Sequence, residues 1–232
     1  MDRSFDEGAV EILERTTLHH HWLRVDRFRL RHRRFAGGWT AALDREILVR
    51  GEIAVVLPYD PERDEIVLVE QFRLPAFVGG GDAWQIEPVA GMVDPGEGGP
   101  AAARRELAEE AGLACTALVE ACRYFPSPGG NSQRMHFYLA RVDTARAGGL
   151  FGMAAEDEDI QVHILPVARA FELLDAGRFQ GGPTLIALLW LARHRERLRA
   201  EWLAADRTAD ATAEAPGAGA GGGAVAAPRG GA

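Results

Sequence analysis

The feature that most constrains this chain is a short helix that the sequence predicts over 101–111. Pro100 stands at its start and Gly112 just past its end, which is the usual placement of these two residues around a helix. Three glutamates follow at i, i+3 and i+4 and therefore share one helix face: Glu106, Glu109 and Glu110. Like charges at this spacing repel, so the face favours binding of a divalent cation. Ligands that are all oxygen favour Mg²⁺ or Mn²⁺ over zinc.

The residues before this helix are spaced in a way that couples them to it. Gly91 precedes Glu97 by six positions, and Arg105 opens the acidic run eight positions later. We expect Glu97 to fold back towards Arg105 and to hold the end of the helix in register. An isolated acidic helix face is more often simply solvated, but its coupling to a loop glycine and a loop glutamate favours a metal site.

Composition and charge restrict the classes of function. The 232 residues are 47% hydrophobic and 26% charged, as in ordinary soluble globular proteins. The formal net charge of −8 disfavours nucleic-acid binding, whereas a small anionic substrate stays possible because a metal ion and a few arginines invert the local sign. Two cysteines outside any paired motif, no apolar run long enough for a membrane and no signal-like N-terminal segment predict a cytoplasmic protein.

Strand and helix patterns alternate along the chain and predict an α/β (α+β) fold. Extended segments are predicted over 27–31, 39–49, 53–57, 66–69, 84–86, 135–142 and 161–165, with further helices over 167–176 and from Pro183 onwards. We predict an N-terminal β region over 1–50 and a main domain over 51–204. The remaining residues, 205–232, are rich in Ala and Gly and are predicted to be a disordered tail.

The segment from Gly91 to Leu113 resembles the Nudix box at every fixed position: G, five residues, E, seven residues, REL, one residue, EE, one residue, GL. Over roughly 10–204 the chain is similar to the bacterial ADP-ribose pyrophosphatase branch of that family. The similar segments are RGEIAVVLPYDPERDEIVLVEQFR, FPSPGGNSQR, GMAAEDEDIQVHIL and LIALLWLARHRE, the second of which places Pro128 fifteen positions beyond Leu113.

The resemblance implies a fold, an activity and an assembly. The fold is a Nudix α/β/α sandwich with a mixed central β-sheet, preceded by strands that are exchanged between the subunits of a homodimer. The activity is Mg²⁺-dependent hydrolysis of the pyrophosphate bond of ADP-ribose to AMP and ribose 5-phosphate, with Mn²⁺ as a possible substitute. Other substrates stay open, namely a nucleotide sugar, NADH or a dinucleoside polyphosphate, and so does a non-catalytic module that senses ADP-ribose.

The resemblance also implies roles for the acidic residues. The implied metal ligands are the carbonyl of Ala90 with Glu106, Glu109, Glu110 and Glu158. The implied catalytic residues are Glu156, Glu158 and Glu109. Glu156 aligns with the base that activates water and Glu158 with an additional metal ligand, although the two roles are interchangeable within a run of four acids. Gly91, Glu97, Arg105 and Gly112 are implied to be structural.

The implied substrate contacts come from several segments, and some of them from a partner subunit. They are Trp22, Arg45, Glu46, Arg50, Arg73, Met92, Ser127, Pro128, Gly129 and Gln133. Trp22 is expected to stack on adenine, with a core or interface tryptophan as the alternative, and surface salt bridges are the alternative for the arginines. Gln133 departs from the glutamate that relatives often carry. The run His19-His20-His21 is interpreted as surface.

Overall fold

The computed structural model describes residues 4–153 and 158–213. Glu156, one of the two candidates for the base, therefore lies outside the described residues. The elements in chain order are β1 (Val10–His20), β2 (Arg24–His32), β3 (Leu43–Val49), β4 (Glu52–Asp60), β5 (Glu65–Phe72), α1 (Leu74–Val78), β6 (Trp84–Glu87), β7 (Val89–Met92), α2 (Gly99–Ala111), β8 (Ala117–Tyr124), β9 (Arg134–Arg141), β10 (Gly149–Phe151), β11 (Ile160–Pro166), α3 (Val167–Asp175) and α4 (Gly182–Ala213).

The main sheet has eight strands and is mixed. Its order is β10-β11-β5-β4-β9-β8, with β6 paired to β5 and β7 paired to β4. Strands β4 and β9 run parallel, and the other pairs are antiparallel. The parallel pair is central, so both of its faces are covered, and its strands carry nearly continuous apolar residues.

Helices cover both faces of this sheet, which confirms the α/β/α sandwich. Because side chains alternate along a strand, Val55 and Leu57 of β4 pack with Leu188 of α4 in one core cluster. Val56 of β4 instead packs with Leu107 of α2 in a second cluster. The acidic helix thus lies on the opposite face from α3 and α4.

The N-terminal residues form a separate antiparallel sheet of three strands in the order β1-β2-β3. Several of its apolar side chains are exposed, including Val10, Ile12, Leu13 and Leu18. The end of β3 is joined to the segment before β9 by hydrogen bonds from Leu48 N–H to the Gly130 carbonyl (2.9 Å) and from Ser132 N–H to the Leu48 carbonyl (3.0 Å). These bonds place the N-terminal sheet beside the main one.

Some elements depart from the sequence prediction. Strands β1, β7, β8 and β10 and the short helix α1 were not predicted as individual elements. The sequences of β1 and β8 do not alternate cleanly between polar and apolar residues, and the other three elements span only three to five residues. Helix α4 continues to Ala213, beyond the predicted start of a disordered tail at 205. Alanine has the highest helix propensity, and the alanine-rich residues 204–213 extend the helix. Residues 214–232 lie outside the described residues. Within the described part of the chain, no helix is long and apolar enough to cross a membrane.

Candidate active site

Helix α2 presents its three glutamates to a cleft at different depths. Glu106 and Glu110 are buried, with 8% and 5% of their surface exposed, whereas the Glu109 side chain is 36% exposed. The helix ends where predicted, since Gly112 has a φ of 63° and its N–H donates to the Ala108 carbonyl. A left-handed residue at this position is the usual helix terminator and favours glycine. Gly112 therefore shapes the helix end and does not line the cleft.

Arg105 joins the loop before the helix to the acidic face. Its Nε donates to Oε1 of Glu97 (3.2 Å) and its Nη2 to Oε2 of Glu97 (3.1 Å) and to the Met92 carbonyl (2.8 Å). Its Nη1 donates to Glu106 (2.7 Å) and Glu109 (2.9 Å). The hydrogen bonds from Arg105 hold the pKa of the Glu97 carboxyl below its usual range. Glu97 thus folds back onto Arg105, as expected from the sequence.

Strand β7 approaches the helix so closely that only glycine fits at one position. A Cβ added to Gly91 would fall 1.9 Å from Cδ of Glu106, so any side chain there would displace the glutamate. One residue earlier, the Ala90 N–H donates to Oε2 of Glu110 at 3.0 Å. Backbone and carboxylates are therefore in direct contact at the floor of the cleft.

Burial makes two of these carboxylates unusually hard to ionise. The pKa of Glu110 is raised to about 8, mainly by loss of solvent and also by the nearby charges of Glu106 and Glu158, against the opposing Ala90 hydrogen bond. Burial also raises the pKa of Glu106, with Glu109 and Glu158 adding to the effect. Crowded carboxylates of this kind ionise readily only when positive charge is brought to them.

The donor set suits a hard divalent cation. As the side chains stand, no three Asp, Glu, His or Cys residues of the described chain converge on one ion position. Arg105 instead holds an oxygen of Glu106 and one of Glu109. Glu110 is buried with no cationic hydrogen-bond partner among the described residues, and every candidate donor is an oxygen. Both properties fit Mg²⁺ or Mn²⁺.

The cleft, with a volume of about 770 Å³, brings together most of the residues predicted for the site. The predicted residues that line it are Trp22, Arg50, Arg73, Ala90, Gly91, Met92, Arg105, Glu106, Glu109, Glu110, Gln133 and Glu158. Trp22 is 88% exposed, so in the single chain it is not a core tryptophan. Its position at the rim leaves a wide indole face available for stacking.

Other predicted residues do not line the cleft of the single chain. Arg45 and Glu46 are exposed on β3, and Ser127, Pro128 and Gly129 form an exposed turn. In that turn the N–H groups of Gly130 and Asn131 donate to the Ser127 carbonyl, at 3.2 and 3.1 Å.

The acidic loop enters the cleft through Glu158. Its carboxylate accepts a hydrogen bond from the Met153 N–H at 3.3 Å, and its own N–H donates to the Met153 carbonyl at 3.3 Å. Gly152 has a φ of 107°, and a Cβ there would fall 2.7 Å from the Glu158 carbonyl oxygen. Glycine at this position therefore allows the two sides of the loop to meet.

Sequence reasoning missed several residues of the cleft. Two are acidic, Glu87 and Asp94, and the others form apolar walls: Ile53, Val55, Pro88, Met135, Met153 and Pro183. Glu87 makes an ion pair with Arg73, from Nε to Oε2 at 2.7 Å. Its position four residues before Gly91 could have indicated that Glu87 lies near the site. Nothing in the local sequence pattern indicates its ion pair with Arg73.

Comparison with known proteins gives a consistent result. The model of the NUDIX domain matches residues 49–187. The ADP-ribose pyrophosphatase of Escherichia coli is 40% identical over 199 residues, covering 86% of this chain and 95% of that protein. A GDP-mannose pyrophosphatase of Pectobacterium atrosepticum is 32% identical over 185 residues, covering 78% of this chain and 93% of that protein. A crystal structure of an ADP compounds hydrolase is similar in fold, with a TM-score of 0.63 at 23% identity, covering 86% of this chain and 98% of the other.

Proposed function

Because this chain belongs to the Nudix family, we propose that it is a divalent-metal-dependent hydrolase that cleaves the pyrophosphate bond of ADP-ribose into AMP and ribose 5-phosphate. The observation that carries the substrate is the 40% identity to an ADP-ribose pyrophosphatase across 95% of that protein's length. The buried glutamate face of α2, which opens into a cleft with arginines, supports the reaction class. The two free cysteines, Cys115 and Cys122, agree with a cytoplasmic location as part of the same proposal.

The metal, Mg²⁺ with Mn²⁺ as a substitute, would be held by one side of the cleft. Its proposed ligands are the Ala90 carbonyl and the carboxylates of Glu106, Glu109, Glu110 and Glu158. When bound, the ion neutralises charge on the phosphate oxygens and acidifies a coordinated water. To bind the ion, Glu106 and Glu109 would give up their hydrogen bonds from Arg105, and Glu97 and the Met92 carbonyl would still hold Arg105 in place.

The other residues of the cleft bind, orient and move protons. The guanidinium groups of Arg50 and Arg73 attract the diphosphate, and Trp22 offers a face for adenine. Glu158, or Glu156 outside the described residues, accepts a proton from the attacking water. Attack at the adenosyl phosphate then breaks its bond to the bridging oxygen, which leaves with ribose 5-phosphate.

The exposed N-terminal sheet is the basis for proposing a homodimer. Arg45 and Glu46 are exposed on β3 and do not line the cleft of their own chain, and apolar residues of β1 in the same sheet are also exposed. Exchange of these strands would bring both residues to the partner's cleft. Light scattering on the purified protein tests this directly, since a monomer at micromolar concentration would contradict it.

Release of AMP from ADP-ribose by the purified protein is the decisive experiment for the activity. We expect turnover with Mg²⁺, none with a chelator, and recovery when Mg²⁺ or Mn²⁺ is restored. The Glu106→Gln variant is expected to lose most turnover, whereas Glu172→Gln, an exposed change on α3, serves as the matched control. Full activity in Glu106→Gln would contradict the assignment of the metal site.

A nucleotide sugar is the second candidate substrate, since the GDP-mannose pyrophosphatase is also similar over nearly its whole length. A panel of ADP-ribose, GDP-mannose, NADH and a dinucleoside polyphosphate under the same conditions separates these substrates by kcat/KM. Faster turnover of GDP-mannose than of ADP-ribose would replace the proposed substrate. Binding of ADP-ribose without turnover of any compound would instead favour a sensing module.

A further inference from the structure

The contact between Glu87 and Arg73 is not explained by the proposed metal chemistry. Glu87 ends β6 and reaches the cleft beside Arg73, the first residue after β5. These two strands pair from Val69↔Glu87 to Phe72↔Trp84, so Arg73 continues β5 beyond the paired residues. Its backbone is fixed, since its N–H donates to the Ala83 carbonyl at 2.7 Å, whereas the direction of its side chain depends on a side-chain partner.

The geometry of this ion pair leaves most of the guanidinium available. Glu87 Oε2 accepts from Nε of Arg73 at 2.7 Å, and the Glu87 side chain is only 17% exposed. Among the described residues, Arg73 has no other side-chain hydrogen bond, so both of its terminal nitrogens are free. Arginine binds phosphate through such pairs of parallel N–H groups, and rigid placement reduces the entropy lost on binding.

The other oxygen of Glu87 lies near the start of α4. A Cβ on Gly181 would lie 3.8 Å from Oε1 of Glu87. The same turn is fixed to β6, because Thr184 Oγ1 donates to the Ile86 carbonyl at 2.9 Å. A carboxylate is favourable near a helix N-terminus, so Glu87 is held between a cation and the first turn of a long helix.

We propose that Glu87 is a positioning residue that orients Arg73 towards the substrate diphosphate, and this inference rests on the proposed function. Glu87 acts through Nε of Arg73 and leaves Nη1 and Nη2 to bind phosphate oxygens. It does not bind the metal and does not accept the proton of the attacking water. Its removal therefore matters only while Arg73 is present.

A double-mutant cycle tests this dependence with four proteins: the wild type, Glu87→Gln, Arg73→Ala and the double variant. With saturating Mg²⁺, Glu87→Gln should lower kcat/KM for ADP-ribose by about 10- to 100-fold, mainly through a higher KM. In the Arg73→Ala background the same change should alter kcat/KM by no more than about twofold. An equal loss in both backgrounds would overturn the proposal.

Two further measurements exclude other roles for Glu87. The apparent affinity for Mg²⁺ should be the same in Glu87→Gln as in the wild type, and a weaker affinity would make Glu87 a metal ligand instead. Glu172→Gln removes a carboxylate from an arginine pair of similar length, 2.8 Å, outside the cleft and should leave kcat/KM unchanged. If Glu87→Gln fails to fold, Glu87→Asp keeps the charge but shortens the reach, and the same cycle is run with it.

This test is separable from the test of the proposed function. If the wild type does not hydrolyse ADP-ribose, the proposed substrate is wrong, and the cycle is run with the compound of the panel that is hydrolysed fastest. If none is hydrolysed, the four proteins are titrated with ADP and the cycle is calculated from the dissociation constants. Non-additive effects support the role of Glu87 in either case, and additive effects refute it.

Discussion

At the scale of single residues, the site combines burial with negative charge. Glu110 has one backbone hydrogen bond and no cationic hydrogen-bond partner among the described residues, and its burial raises its pKa to about 8. A buried ionised carboxylate is unfavourable, so the metal-free protein is less stable with Glu110 charged than with it protonated. Binding of a cation would relieve this cost. Glu110 therefore favours metal binding, but it lowers the stability of the metal-free protein.

This conflict predicts opposite effects of Glu110→Gln on stability and activity. The folded pKa of about 8 lies above the ordinary glutamate value of 4.5, so the stability from Glu110 is full below pH 4.5 and is lost as the pH rises through about 8. In the metal-free protein, Glu110→Gln should remove this part of the pH dependence and raise stability at pH 8.5. It should also lower turnover by about a thousandfold, equivalent to roughly 4 kcal/mol.

Urea denaturation of both proteins at pH 5 and pH 8.5, with a chelator present, measures the stability effect. Addition of Mg²⁺ should stabilise the wild type more than the variant. A variant that is less stable than the wild type at pH 8.5 without metal would show that Glu110 is not strained by its burial.

At the scale of elements, the site depends on the fit between α2 and the segment from β7 to the helix start. Arg105 links the two segments, since it donates hydrogen bonds to Glu97, to two glutamates of α2 and to the Met92 carbonyl. A single guanidinium makes all of these contacts from one backbone position. The loop and the helix therefore behave as one unit that is joined by a planar guanidinium.

Arg105→Lys tests this joint because lysine keeps the charge but cannot make forked contacts. We expect activity to fall by about 10- to 100-fold, the usual effect of losing a residue that orients metal ligands. The apparent affinity for Mg²⁺ should fall with it. Arg169→Lys, an exposed change on α3, is the control and should show neither effect. Unchanged activity in Arg105→Lys would mean that charge alone holds the loop.

At the scale of the whole molecule, the sandwich places the site by packing both faces of one sheet. Helix α4 covers the face opposite α2, and its residue Leu191 is fully buried while the nearby Leu189 is 59% exposed. Among the described residues of α4, Pro183 alone lines the cleft, so the helix supports the site mainly by packing beneath the sheet.

Alanine substitutions at these two leucines separate packing from helix propensity. Leu191→Ala should lower the free energy of unfolding by about 2–5 kcal/mol, because it leaves a cavity in the core. Leu189→Ala removes the same atoms from an exposed position and should change it by no more than about 0.5 kcal/mol. Denaturant unfolding measures both. Equal effects would contradict the placement of α4.

The sequence alone determined what depends on local spacing. The limits of α2, the common face of its glutamates and the return of Glu97 to Arg105 all follow from helix periodicity and from proline and glycine preferences over short distances. The order of strand and helix patterns likewise predicted an α/β fold, and the resemblance to the Nudix family implied the sandwich. The extension of α4 beyond 205 departs from the predicted tail, because the helix propensity of alanine continues the helix where hydrophobicity is low.

Only the tertiary structure decided what depends on distant segments. Glu110 is more buried than Glu109 because β7 packs against one side of α2, and a local pattern of three glutamates cannot reveal this difference. Glu87 and Arg73 are fourteen residues apart in sequence, and the register of β5 and β6 brings them together. Arg45 and Pro128, which are distant in sequence from α2, do not line the cleft of their own chain. Long-range packing sets burial and partners, and these set the charge state on which the proposed chemistry depends.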